Sequence, residues 1–324
     1  MTQRDPWERI VSVHTRGIYE SNYLKANSPD GRRGLWLKHN LLRRADGSGL
    51  GEFWVIRFTR GTAPLVAKHE VPWEDLDLAE DRIGIRCGPI SLSPGRAQGA
   101  VADMRWDIQL RPTLPPLHHF PADWMYTAGF PKKKAITPAP NLRFNGELIV
   151  GEERWTLEDW VGLRGHNWGR EHAYTYAYGN CNLWNDGADR TVDGFSARIR
   201  LPGGLISPWL STLVARNPDH DLNGLGHWFG GARVGPDFWT LRAGGCSLQM
   251  RCEASTYVGL RYAHPDGSES YCYNTKFADV HWSTPKNQHT SSMGELEILT
   301  PTPLPEIPLH PTVDWDPGQG PYRG

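Results

Sequence analysis

Two neighbouring segments of the chain alternate in side-chain character with a period of two residues. They are GLWLKHNLL (residues 34–42) and GEFWVIRF (residues 51–58), and a glycine-rich stretch separates them. Such a pair is typical of a β-hairpin, because successive side chains of a strand point to opposite faces. In the second segment Trp54, Ile56 and Phe58 share one face. We expect that face to be buried and this part of the chain to be antiparallel β structure.

The same pattern returns along the rest of the chain. Residues 145–163, 194–201 and 256–277 predict further strands, the last as a hairpin that turns at residues 265–267. A short helix is expected only at residues 71–81 in the N-terminal half, with Pro72 near its start. The 35 glycines, 26 prolines and 15 tryptophans also favour short strands joined by many turns. The predicted fold class is all-β.

Two proline-rich stretches interrupt the pattern. Residues 111–140 predict a long connection that crosses or covers a barrel mouth, and residues 301–324 predict an extended or disordered tail. A chain of 324 residues is long for one hydrophobic core, so two domains are expected. We predict an N-terminal barrel at residues 1–185, and a C-terminal barrel with its proline-rich tail at residues 186–324.

Charge and cysteine content limit the classes of function. The net charge of -1 gives no global attraction for nucleic acid or for an acidic membrane, so neither is an expected partner. The five cysteines form no C-x-x-C pair, which argues against a disulfide framework and against structural zinc. The chain shows neither a signal peptide nor an apolar run of membrane-spanning length, so a soluble, cytoplasmic protein is expected. The sequence does not indicate the oligomeric state.

The stretch GHNWGREHAYTYAYGNCN (residues 165–182) concentrates side chains that carry chemistry. Its spacing of His166, Glu171 and His172 matches no zinc motif. If both histidines lay on one straight strand, they would be roughly 20 Å apart. We therefore expect no metal, unless the chain turns at Gly169. The chain also lacks a dinucleotide- or phosphate-binding motif, so no other cofactor is expected.

Alternation in the same stretch predicts a cavity wall. His172, Tyr174, Tyr176 and Tyr178 share one face of a strand, and small residues occupy the other. Small residues allow close packing against another layer, whereas the histidine–tyrosine face suits an apolar wall that carries hydrogen-bond donors. The alternative is that the tyrosines cover a core edge with their hydroxyls in water.

Proton transfer is the chemistry that such a wall supports. A buried imidazole or carboxyl can protonate an alkene or a carbonyl, and tyrosine rings can stabilise a developing carbocation. The candidate acids are His166, Glu171 and His172, with Glu20 and Asp159 behind them. A structural role remains the alternative for each of them, because buried histidines are often bonded to backbone carbonyls.

Several segments, in order, resemble a known group of proteins. They are ESNYLKAN (20–27), GLWLKHNLL, GFPKKKAITPAPNLRFNGEL (129–148), GHNWG (165–169), TYVGLRY (256–262) and NTKF (274–277). Together they are similar to bacterial relatives of the AttH, carotenoid 1,2-hydratase and tocopherol cyclase group. The resemblance implies two lipocalin-like antiparallel β-barrels in tandem, with a hydrophobic small molecule bound at or between them. It also implies that His166 and Trp168 help to form the pocket.

The leading hypothesis is a metal-independent enzyme that acts on an isoprenoid, steroid or polyketide-like molecule by acid-assisted hydration, dehydration or cyclisation. Its predicted catalytic residues are His166, Glu171 and His172, and its predicted substrate-binding residues are Trp168, Tyr174, Tyr176, Tyr178 and Asn180. A carrier that binds the same ligand without turnover is the second hypothesis. An interaction module with exposed tryptophans is the third.

Overall fold

The computed structural model describes residues 8–187, 189–216, 228, 230–264 and 268–310. These residues form two antiparallel sheets, each curled or nearly closed, that follow one another along the chain. The predicted all-β class and lipocalin-like barrel form are therefore confirmed. Nearly all pairings join strands that are close in sequence, as in up-and-down barrels.

The first sheet has twelve strands within the described residues. They are β1 (Ile18–Asn27), β2 (Arg33–Arg43), β3 (Gly49–Thr59), β4 (Leu65–Pro72), β5 (Asp77–Leu78), β6 (Ile85–Cys87), β7 (Ile90–Ser93), β8 (Arg96–Val101), β9 (Met104–Pro112), β10 (Leu117–His118), β11 (Lys133–Val150) and β12 (Glu153–Gly169). The order is β4-β3-β2-β1-β12-β11-β9-β8-β7-β6-β5, and β10 pairs with β11.

The second sheet has nine strands within the same part of the chain. They are β13 (Thr175–Cys181), β14 (Thr191–Arg198), β15 (Leu210–Arg216), β16 (Gly231–Val234), β17 (Phe238–Ala243), β18 (Cys246–Arg251), β19 (Val258–Ala263), β20 (Glu269–Ser283) and β21 (Gln288–Thr300). Their order is β15-β14-β13-β21-β20-β18-β17-β16, and β19 pairs with β20. Strand β13 begins at Thr175, whereas the predicted domain boundary lies at residue 185; the assignment of domains stays a prediction.

The predicted hairpins are present. Strands β2 and β3 pair from Arg33 opposite Thr59 to Arg43 opposite Gly49. The face with Trp54 is buried as expected, but the opposite face of β3 is buried too. Phe53 and Val55 belong to the core inside the first barrel, whereas Trp54 packs outside it against the second sheet. The first sheet thus contributes both faces to hydrophobic cores.

The small residues of β13 point into the second barrel. Ala177 belongs to its core, and a Cβ atom added at Gly179 would lie 2.4 Å from Met250 Sδ and 2.8 Å from the Trp239 ring. The predicted close packing of this face is confirmed. The tyrosines of β13 consequently face outward, toward the first barrel.

The predicted helix at residues 71–81 is wrong. Trp73–Asp75 forms a single 3-10 turn, and β5 follows it directly. Leu76 and Leu78, two residues apart, both pack against the first core, which an extended chain permits and a helix does not. One helical turn, α1 (Trp124–Thr127), occurs instead in the proline-rich connection. The turn predicted at 265–267 and tail residues 311–324 lie outside the described residues.

Candidate active site between the two barrels

A cavity of about 1120 Å³ lies between the two sheets, and we call it the interbarrel cavity. Strands β1, β2 and β12 border it from the first sheet, and β13, β14 and β21 from the second. Part of the proline-rich connection, including His119, Phe120 and Phe130, borders it as well. Part of this connection therefore lies against the cavity between the barrels, and its predicted position at a barrel mouth stays a prediction.

The histidine–tyrosine face of the sequence borders this cavity. His172, Tyr174, Tyr176 and Tyr178 all contribute to its lining. The His172 ring stacks on Tyr19 with centroids 3.7 Å apart, and burial lowers its pKa well below the ordinary value, so this imidazole is neutral. The Tyr176 hydroxyl donates a hydrogen bond to Glu297. Tyr178 packs edge-on to Tyr23 of β1, so this pair connects the two walls.

A buried carboxylate–imidazole pair forms part of the first wall. Glu20 of β1 and His166 of β12 both border the cavity, and Glu20 Oε1 lies 2.8 Å from His166 Nε2. The carboxylate also accepts hydrogen bonds from the backbone N–H groups of Val11 and Ser12 and from the Ser12 hydroxyl. Burial alone would raise the pKa of Glu20, but the bonds from His166 and Ser12 outweigh it and lower the pKa. Glu20 is therefore an ionised carboxylate.

A second buried carboxyl, Asp193 of β14, has the opposite electrostatics. Its side chain is fully buried, Oδ2 accepts a bond of 2.5 Å from Thr137, and Oδ1 has no hydrogen-bond partner among the described residues. His119 Nε2 lies 3.8 Å from Oδ1, but burial lowers the pKa of this histidine to about 3, so it supplies no countercharge. Burial raises the pKa of Asp193 to about 7. This carboxyl therefore holds a proton near neutral pH.

Tyr178 connects Asp193 to the cavity. Its hydroxyl is buried, Asp193 and Tyr23 are within its hydrogen-bonding reach, and its side chain borders the cavity. Asp193 lies close enough to raise the pKa of this phenol further after burial has raised it. The phenol is thus a neutral donor between the buried acid and the cavity.

Other predicted site residues lie apart from the cavity lining or at its edge. Trp168 stacks on His166 at 4.6 Å but packs behind it, in a cluster with Tyr126. Asn180 is buried and donates to the carbonyl of Val192. Glu171 is at the rim, half exposed, in an ion pair of 2.7 Å with Lys132. The cavity thus brings His166, His172 and the three tyrosines together.

The sequence analysis missed several ionisable side chains at or near the interbarrel cavity and misplaced one. Asp193, His119, Lys38, Lys133 and Glu297 were not predicted, although Asp193 stands out as a charge inside an apolar strand. Asp159, one of the reserve acids, is instead 58% exposed and lies near Arg111 and Arg143.

Within the described residues, no cluster of three or more histidine, cysteine, aspartate or glutamate side chains could hold a metal ion. No helix among those residues is long and apolar enough to cross a membrane.

Comparisons with known proteins agree with this fold. No family model matches the chain. An uncharacterised Mycobacterium tuberculosis protein is 24% identical over 285 residues, which cover 82% of this chain and 80% of that protein.

Three solved structures share the architecture. They are a Nitrosomonas europaea protein described as AttH (TM-score 0.55, 11% identity, 87% of this chain and 92% of that one), CghA with Sch210972 (0.56, 9%, 87% and 88%) and kievitone hydratase from Nectria haematococca (0.54, 10%, 90% and 91%). The resemblance to AttH-like tandem lipocalin folds is confirmed at the level of the fold.

Proposed function

We propose that the protein is an enzyme of the hydratase or cyclase type, and that it acts on an apolar small molecule in the interbarrel cavity. The proposed substrate is an isoprenoid, steroid or polyketide-like compound with an alkene, alcohol or carbonyl group. The main support is a pair of buried carboxyls, Asp193 and Glu20, whose environments move their pKa values in opposite directions. When their environments move the pKa values of two carboxyls apart, the group with the raised pKa can act as an acid and the group with the lowered pKa can serve a base.

Asp193 is the proposed proton source. Its proton reaches the substrate through the hydroxyl of Tyr178, which passes one proton into the cavity as it receives another from Asp193. Protonation of a carbon–carbon double bond leaves positive charge on the substrate. Tyr23 and Tyr178 border the cavity, and their rings can stabilise such a charge through their quadrupoles.

The Glu20–His166 pair is the proposed base. In hydration His166 removes a proton from the attacking water, and the ionised Glu20 at 2.8 Å stabilises the imidazolium that forms. Dehydration uses the same groups in reverse. In cyclisation the pair removes a proton from the substrate cation instead of from water.

The carrier hypothesis accounts less well for these carboxyls. Binding an apolar ligand needs shape and apolar surface, whereas a fully buried carboxyl with one unpaired oxygen costs stability and gives an apolar ligand nothing. The interaction-module hypothesis needs exposed tryptophans. Among the described residues, Trp124 is the one tryptophan with a largely exposed side chain.

Turnover in deuterated water tests the proposal. The wild-type protein is incubated with a panel of unsaturated and hydroxylated isoprenoids, steroids and polyketides, and products are identified by mass spectrometry. We expect gain of one water or isomerisation with deuterium on carbon, or loss of one water without it. Asp193→Asn should lose at least about a hundredfold in rate, because general acid catalysis contributes on this scale.

The matched control is Asp189→Asn, since Asp189 is 65% exposed and pairs with Arg143 at the surface. It should retain the wild-type rate. Equal turnover by Asp193→Asn would contradict the assignment of the acid. Binding of panel compounds without any conversion would support a carrier instead.

A further inference from the structure

Two lysine side chains border one part of the interbarrel cavity without an ion pair among the described residues. Lys133, at the start of β11, points its ammonium over the ring of Tyr176, 4.2 Å from the centroid. Its side chain borders the cavity, and the described residues offer this ammonium neither a hydrogen-bond acceptor nor an ion-pair partner. Burial lowers the pKa of Lys133 to about 8, so the amine is still mostly protonated at neutral pH.

Lys38 of β2 is the second cation of this region. Its ammonium lies 4.6 Å from the Trp36 ring and 4.1 Å from the Tyr262 ring, and it donates to the Tyr262 hydroxyl. It also borders the cavity. Aromatic faces and one phenol therefore surround a charge that carries no carboxylate partner of its own in the described structure.

Glu297 interacts with both of these cations, and Glu52 interacts with Lys38. Glu297 is ionised, because Lys38 and hydrogen bonds from Tyr176 and Asn274 lower its pKa against the effect of burial. Those two bonds occupy an oxygen each, so Glu297 is largely satisfied without either lysine. His172 and Cys272 are neutral, since burial lowers the pKa of the former and raises that of the latter.

The other charged side chains nearby form ion pairs among themselves, and one of these groups holds one lysine and two carboxyls. Lys68 bonds both Glu52 and Glu70. At the rim, Arg261 pairs with Glu269 and Lys132 pairs with Glu171. Neither Lys38 nor Lys133 has an ion-pair partner of its own among the described residues, and a buried ammonium is costly unless a counterion completes it.

We infer that the ligand of the interbarrel cavity carries an anionic oxygen group, a carboxylate or an ionised enol, that binds between Lys38 and Lys133. This inference rests on the proposed function for the site and narrows its substrate class to acidic apolar molecules. The anion gives both ammonium groups an ion-pair partner. The apolar body of the ligand then extends along Tyr23 and Tyr178 toward Asp193.

The experiment compares fluorescent acids with their methyl esters at pH 7. The probes are cis-parinaric acid and pyrenebutyric acid, each titrated against the whole protein beside its ester. We expect the wild-type protein to bind each acid at least about tenfold more tightly than its ester, as charge-assisted hydrogen bonds are strong in a buried site. Lys133→Met and Lys38→Met should reduce this ratio to about one to three, and Lys133→Arg should preserve it.

Lys286→Met is the control, because Lys286 is exposed at the turn between β20 and β21 and lies outside the cavity lining. It should keep the wild-type ratio. The ratio of acid to ester affinity in the wild-type protein tests the preference for an anion even if a lysine variant fails to fold. Equal binding of acid and ester by the wild type, or an acid preference that survives in a folded Lys133→Met, would overturn the inference while leaving an apolar site in place. Failure of every probe to bind would count against both the inference and the proposed cavity function.

Discussion

Replacing Asp193 by asparagine should make the protein more stable while removing its activity. Burial raises the pKa of this carboxyl from 3.8 to about 7. Asparagine has nearly the same shape, keeps an acceptor for Thr137, and carries no charge at any pH. The variant therefore resembles the protonated wild type but cannot transfer a proton.

The size and the pH dependence of the effect follow from linkage. Because the pKa is higher in the folded state, the unfolded chain releases this proton first as the pH rises above about 4. The wild type thus loses stability between pH 4 and about 7, and the loss then levels off. The difference between the two pKa values corresponds to about 4 kcal/mol above pH 7, and to about 1.5–2 kcal/mol at pH 5. The advantage of Asp193→Asn should therefore grow by about 2–3 kcal/mol from pH 5 to pH 8.

Urea unfolding followed by tryptophan fluorescence at both pH values measures this difference. The exposed-site control Asp189→Asn should change stability by less than about 1 kcal/mol at either pH. If Asp193→Asn is less stable than the wild type at pH 8, or if its advantage is independent of pH, then folding does not raise the pKa of Asp193. The assignment of the acid would then be refuted.

Three further changes test the base, the barrel wall and the buried ion pair. Glu20→Gln should lower turnover by about a hundredfold or more, because His166 loses the carboxylate that stabilises its charge; unchanged turnover in a folded variant would contradict this role. Gly179→Val should destabilise by about 1–3 kcal/mol in urea unfolding, because a Cβ atom at this position already lies 2.4 Å from Met250 Sδ; wild-type stability would show that the barrel is less tightly packed. Lys276→Met should cost about 3–5 kcal/mol, since it leaves the buried Glu295 unpaired, and adding Glu295→Leu should recover much of the loss.

Local sequence patterns predicted the strands well, because buried and exposed side chains alternate with a period of two along a strand. The hairpin of β2 and β3 and the small-residue face at Ala177 and Gly179 were both readable in this way. The role of Trp54 was not readable, since both faces of β3 are apolar and alternation cannot tell which one faces a second sheet. The helix predicted at residues 71–81 was wrong. Acidic residues after Pro72 suit the start of a helix, but the packing of Leu76 and Leu78 against the core favours an extended chain.

Only those residues of the candidate site that lie in one local stretch of the sequence were predicted. Tyr176, Tyr178 and His166 lie in one conspicuous stretch and all border the cavity. The partner of His166 is Glu20, 146 residues earlier in the chain, and only the pairing of β1 with β12 brings the two together. Asp193 acquires its character from burial beside Thr137, which no local pattern encodes. Trp168 is two residues from His166 on the same strand, but it packs behind His166 against Tyr126 and does not border the cavity.

The position of a bound ligand tests the central claim most directly. A crystal structure of Asp193→Asn is determined with a compound that the wild type converts, since this variant should bind without turnover. The account predicts ligand density between the two barrels, in contact with Tyr178 and within reach of His166. Density inside either barrel, among the residues of its own core, would contradict it.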